Sequence, residues 1–121
     1  MAHILVVDDD PAIRSIIRAF LEIDDHQISE AEDGFQALEL IKNGRFDFFV
    51  LDYMMPRMDG ITLCRKIRQE LKITTPPVLF LSVNDSHISQ QEAIDNGGNA
   101  YLIKPIRMDL LLSTVRDLLQ D

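Results

Sequence analysis

The chain has a single cysteine, Cys64, among 121 residues. That excludes an internal disulfide, and with no Cys/His cluster around it a zinc site is excluded as well. Its neighbours place Cys64 on a helix face, where it is expected as a small buried apolar side chain rather than a redox thiol. Positive charge is scarce: 12 Lys and Arg against 20 Asp and Glu give a net charge of −8. A surface this acidic repels a phosphate backbone, so direct nucleic-acid binding is not expected. No leader precedes the first strand pattern and no apolar run is long enough to span a membrane, so a cytoplasmic location is expected. Repeats, low-complexity tracts and Gly/Ser linkers are missing too. At 121 residues and 46% hydrophobic content, one domain with its own core is expected over residues 1–121.

Short apolar runs alternate with helical periodicity. His3 to Val7 reads as a strand, and Pro11 opens a helix at a position where its missing N–H costs nothing. Ile13, Ile16, Ile17, Phe20 and Leu21 then form one apolar face. Gln27 to Ala31 is a weaker strand, and Phe35 to Lys42 a short helix stopped by Asn43-Gly44. Phe46 to Leu51 is the third strand, followed by the face Ile61, Leu63, Cys64, Ile67 and Leu71. Pro76-Pro77 precedes Val78 to Leu81. His87 to Asn96 is a polar helix ended by Gly97-Gly98. Ala100 to Ile103 is the fifth strand, and Met108, Leu111, Leu112, Val115, Leu118 and Leu119 mark a last amphipathic helix.

Five strands linked by five helices must run parallel with right-handed crossovers. The continuous apolar runs HILVV and VLFL fit a sheet covered on both faces. The expected fold is α/β, a flavodoxin-like doubly wound five-stranded parallel sheet of order 2-1-3-4-5.

Ligands of such sheets bind beyond the carboxyl ends of the strands. Asp8, Asp9 and Asp10 follow strand one, Asp52 follows strand three, Ser82-Val83-Asn84 follow strand four, and Lys104-Pro105 follow strand five. In the order 2-1-3-4-5 these four ends are neighbours, while Glu32-Asp33-Gly34 after the edge strand reads as a turn. Asp10 before Pro11 and Asp59 before Gly60 read as helix caps. Acids from strands one and three would crowd each other, so either one is protonated or a cation sits among them. Carboxylate oxygens around a partly hydrated ion suit Mg²⁺. An acid nucleophile, a metal, a lysine and a hydroxyl together fit phosphoryl transfer to aspartate.

The stretches VVDDDP, LDYMMPRMDG, LFLS and YLIKP resemble, in order and along nearly the whole chain, the motifs of response-regulator receiver domains, the CheY-like family of two-component signalling. The resemblance implies that Asp52 is the phosphoacceptor. It implies Mg²⁺ held by Asp9 directly, by Asp8 through water, by Asp52 and by the backbone carbonyl of Met54. Ser82 and Lys104 would bind phosphoryl oxygens, Tyr101 would change rotamer as Ser82 moves, and the Lys104–Pro105 bond would be cis. The implied partners are a sensor histidine kinase or His-phosphotransferase and a downstream output domain or target protein. A phosphorylation-dependent dimer through the face of the last two helices is compatible with it. The chain would be a signalling switch that catalyses its own phosphoryl transfer and autodephosphorylation, not an enzyme with a turnover substrate.

Several positions depart from the family's common pattern. Val83 stands where a small residue is usual, which implies narrower access to Asp52. Gly98 replaces a usual alanine, which implies a looser turn before strand five. Met54 and Asn84 occupy positions that tune dephosphorylation in the family. Three other readings fit the residues less well. A haloacid-dehalogenase-like phosphatase would use the D-x-D of Asp8-Asp9-Asp10, but Ala12 replaces its usual Thr or Val, no acidic pair follows Lys104, and Asp52 would have no role. A flavodoxin needs an anion nest after strand one, where DDDP would repel phosphate. A degenerate receiver used only for docking would not need Asp8, Asp9, Asp52, Ser82 and Lys104 together.

Overall fold

Side-chain alternation along the strands sorts the core into two layers, one on each face of a single sheet. The computed structural model describes residues 1–120; Asp121, the last residue of the expected domain, lies outside the described residues. The elements are β1 (His3–Val7), α1 (Pro11–Glu22), β2 (Gln27–Ala31), α2 (Gly34–Asn43), β3 (Phe48–Asp52), α3 (Gly60–Arg65), β4 (Val78–Ser82), α4 (His87–Asp95), β5 (Ala100–Ile103) and α5 (Met108–Leu119). All neighbouring strands are parallel, in the order β2-β1-β3-β4-β5. Ile4, Val6, Phe48, Val50, Leu79 and Leu81 face α1 and α5, where they meet Ile17, Leu21, Leu111 and Val115. Leu5, Val7, Phe49, Leu51, Val78 and Phe80 point the other way, onto Ala37, Ile41, Leu63, Cys64 and Ala93 from α2, α3 and α4.

The expected caps are present. The Asp10 carboxylate accepts the N–H of Ala12 at 2.9 Å, and that of Asp59 accepts the N–H of Thr62 at 2.8 Å. These bonds satisfy donors that the first helical turn leaves orphaned. A Cβ at Gly60 would collide with the backbone carbonyl of Asp52. Glycine there lets α3 start directly beneath the end of β3. Cys64 is fully buried, and burial pushes its thiol up to about 11, as its helix-face position implied.

Three details differ from the sequence reading. β3 begins at Phe48 rather than Phe46, because Asp47 caps the adjacent strand: its carboxylate accepts the N–H of His3 at 2.9 Å. Phe46 is buried but lies outside the ladder, its ring 4.4 Å from that of His3. The third helix is α-helical only to Arg65 and continues as a π-helical stretch, Lys66–Glu70. This widened turn keeps Ile67 in the core and lets Arg68 reach the Gly97 carbonyl at 3.0 Å. Finally, Gly98 has a packing role that the sequence reading did not include. A Cβ there would approach the Phe80 ring to 2.7 Å and the Ala93 carbonyl oxygen to 2.8 Å. The missing methyl makes room for Phe80, a fully buried ring whose burial is worth about 2–3 kcal/mol.

Candidate functional site

Strand register brings the residues at four strand ends together. Val7 pairs with Leu51, Asp52 with Leu81, and Ser82 with Ile103. Asp8, Asp52, Ser82 and Lys104 therefore emerge from neighbouring strands at one edge of the sheet. Asp8 is 1% exposed and Asp52 5% exposed, an unusual degree of burial for carboxylates unless something pairs with them. Lys104 is that partner. Its Nζ lies 3.1 Å from Asp8 Oδ2 and 3.2 Å from Asp52 Oδ1.

One lysine does not balance the acids. Carboxylate oxygens of Asp8, Asp9 and Asp52 lie within 4.8 Å of one another. Burial, and then repulsion from Asp8, push the Asp52 carboxyl up to about 6, with Lys104 and a backbone hydrogen bond from Met54 pulling the other way. Burial works against the Lys104 charge, yet Asp52 and Asp8 outweigh it and raise the lysine above its ordinary value. The pocket thus holds an excess of negative charge in a place where water screens it poorly. A hard cation relieves that excess, and the donor set of carboxylates with open access through exposed Asp9 fits a divalent ion that keeps part of its water shell.

The remaining groups line the same edge. Ser82 is buried, and its Oγ accepts the N–H of Asn84 at 3.0 Å. Its carbonyl accepts the N–H of Lys104 at 2.8 Å, so the two residues are fixed to each other through the backbone. The Lys104–Pro105 bond is cis. Tyr101 is half-buried, and its hydroxyl donates to the Asn84 carbonyl at 2.7 Å. Met54 is 63% exposed and Val83 75% exposed, each following a strand end that bears a site residue.

Sequence reasoning passed over several groups that hold these residues in place. Arg14 Nη1 donates to the Asp8 carbonyl at 2.6 Å, and its Nε donates to Glu30 at 3.0 Å. Arg18 donates to the other oxygen of Glu30. Two arginines four apart on α1 announce a shared face, but nothing in a single sequence says that Glu30 of β2 meets it. Tyr53 lies inside LDYMMPRMDG, and its hydroxyl donates to Glu92 of α4. Asp33, read as a turn residue, caps α2 through Gln36 N–H and pairs with Arg57 of the β3–α3 loop.

Comparison with known proteins agrees with this layout. The sequence profile of the response regulator receiver domain matches residues 4–116. The chain is 42% identical over 118 residues to the response regulator MprA of Mycobacterium sp. (strain KMS), a match covering 98% of this chain and 50% of that one. It therefore spans about half the length of the curated relatives it matches. Among solved structures, the receiver domain of Francisella response regulator 1452 superposes with a TM-score of 0.90 at 37% identity, covering 98% of this chain and 97% of that one. Vibrio cholerae chemotaxis protein CheY4 does so with 0.92 at 30% identity, covering 98% of each chain.

Proposed function

The chain belongs to the response regulator receiver domain family, and on that premise we propose that residues 1–121 form one receiver domain whose Asp52 accepts a phosphoryl group. The observation that carries this reading is the buried Asp52 carboxylate, joined through Lys104 Nζ to Asp8 at the end of the neighbouring strand. A structural acid at a strand end needs neither burial nor a lysine shared with a second acid.

In the proposed reaction an Asp52 oxygen attacks the phosphorus of a phosphohistidine on a sensor kinase or phosphotransferase. An O–P bond forms, the P–N bond breaks, and its electron pair stays with the imidazole nitrogen. Lys104 supports the negative charge that moves onto the peripheral oxygens, and the Ser82 hydroxyl donates to one of them. Asp8, Asp9, Asp52 and the Met54 carbonyl are the residues that would hold Mg²⁺. When bound, the ion neutralises negative charge on the phosphoryl oxygens. Hydrolysis of the acyl phosphate returns the carboxylate.

The product carries more negative charge and new acceptor oxygens at Asp52. Ser82 moving toward them would vacate the space into which Tyr101 turns, biasing the surface of α4, β5 and α5 toward a second arrangement. An output domain or target protein reads that surface. The relatives' greater length supports an output region in the same polypeptide. Among the described residues no helix is long and apolar enough to cross a membrane, which is compatible with action in the cytoplasm. The direct test is intact mass after incubation with acetyl phosphate and Mg²⁺. An adduct of about one phosphoryl group, roughly 80 Da, is expected, and it should vanish in Asp52→Ala. Equal labelling of the variant would overturn the assignment.

A further inference from the structure

Helix α4 is held to the domain differently at its two ends. Its only buried residues are Ser89 and Ala93, and Ile88 and Ile94 are exposed. A serine and a single methyl supply little apolar anchorage, so polar contacts decide where the helix sits. The C-terminal end has several. Cys64 Sγ donates to the Asn96 carbonyl at 3.2 Å. Arg68 donates to the Gly97 carbonyl through both Nε and Nη2, at 3.1 and 3.0 Å. The Asn99 side chain accepts from Arg68 and from Val78 N–H, tying the turn after α4 to the start of β4.

Ahead of that end two tyrosines make the connection. Tyr101 donates to the Asn84 carbonyl in the β4–α4 loop, next to Ser82. Tyr53 donates to Glu92, the sixth of the nine residues of α4 and one turn before Asn96. The Tyr53 backbone is fixed on both sides: its N–H donates to the Leu81 carbonyl at 2.9 Å and its carbonyl accepts from Gly60 N–H at 3.0 Å. Its ring packs edge-on against Phe80 and Tyr101, at 6.3 and 5.9 Å. Tyr53 is thus a rigid strut that starts one residue from Asp52 and ends on α4.

We propose that α4 is hinged at its C-terminal end on Arg68 and Cys64, and that Tyr53 is the latch which holds it in the unmodified arrangement through Glu92. This rests on the reading of Asp52 as phosphoacceptor. Tyr53 is a positioning residue: it touches α4, not the reacting oxygens. A swing of the helix away from Tyr53 about that hinge breaks the Tyr53–Glu92 bond, so on this proposal the bond opposes the switched state. Because coupling is reciprocal, loss of the latch must make the switched state easier to reach from the site.

The test is binding of beryllofluoride, a tetrahedral stand-in for a phosphoryl group, in the presence of Mg²⁺, followed through the α4 amide resonances. Tyr53→Phe keeps the ring and its packing and removes only the hydroxyl. Tyr53→Phe and Glu92→Ala should each bind the probe about three- to fivefold more tightly than wild type. The double variant should gain nothing further, because both changes cut one bond. Unchanged or weaker binding in Tyr53→Phe, with normal binding by wild type, would overturn the latch alone. Failure of the wild type to bind at all would overturn the phosphoacceptor reading together with it.

Discussion

Helices α1 and α4 each follow a strand that carries a site residue, yet they are attached to the sheet in opposite ways. Helix α1 buries Ile17 and Leu21 completely. It is also clamped to β2 by Arg14 and Arg18, which share the two oxygens of Glu30. Helix α4 buries a serine and an alanine and leans on hydrogen bonds. The difference suits the proposed switch, in which one helix holds the site and the other moves. The β1–α1 junction presents Asp8 and Asp9 in fixed positions, and Arg14 holds the Asp8 carbonyl directly. A helix that changes position cannot be welded by a large apolar face, because packed cores resist continuous deformation.

The largest predicted effect tests that contrast in stability. Ile17→Ala should cost about 3–4 kcal/mol in urea unfolding, as expected for a fully buried side chain that leaves a cavity. Ile88→Ala on α4 should stay within about 0.5 kcal/mol. Comparable losses at the two positions would abolish the distinction.

The rigid side also carries an electrostatic burden that α4 lacks. Folded Asp52 titrates near 6, against an ordinary value of 3.8, so between those values the folded state binds more protons than the unfolded one. Stability contributed by this proton is fully present below the unfolded value and is lost as pH rises through about 6. Without metal, Asp52→Asn should therefore be more stable than wild type at pH 7 by about 1–3 kcal/mol. The gap should close below about pH 4. A gap independent of pH would show that the ionised carboxylate is not its source.

Mg²⁺ should act on the same side of the molecule and sharpen the contrast. At roughly ten times its dissociation constant the ion should stabilise the wild type by about 1.4 kcal/mol. Hydrogen exchange in α4 should change little, since its tethers do not involve Asp8, Asp9 or Asp52. Asp9→Asn should lose the stabilisation, and thermal melts with and without the ion would read it. The smallest effect concerns Val83, in the β4–α4 loop next to Ser82. If its branched side chain restricts access, Val83→Ala should raise the rate of labelling by acetyl phosphate severalfold, a barrier change of about 1 kcal/mol. An unchanged rate would remove Val83 from the account.

The five strands, the helices covering both faces and the residues at four strand ends were legible in the sequence because each shows as a local pattern, while the order 2-1-3-4-5 was taken from the arrangement common to such sheets. HILVV and VLFL announce strands covered on both faces, and an acid or lysine at the end of such a run is conspicuous. The caps at Asp10 and Asp59 were legible for the same reason. Legibility ended where a contact depends on partners far apart in the chain. Glu30 of the weak second strand carried no signal, because its role depends on two arginines of α1. Tyr53 carried no signal, because its partner Glu92 is 39 positions away. The packing role of Gly98 was not legible because it depends on the size of Phe80. The late start of β3 likewise depends on Asp47 meeting His3 across the sheet.

The central claim is that Asp52, and not its acidic neighbours, takes the phosphoryl group. Reducing the acyl phosphate with borohydride converts the modified aspartate to homoserine, and peptide mass spectrometry then locates it. After labelling with acetyl phosphate and Mg²⁺, homoserine is predicted at position 52 with Asp8 and Asp9 intact. Homoserine at position 8 or 9 with position 52 unchanged would contradict the account.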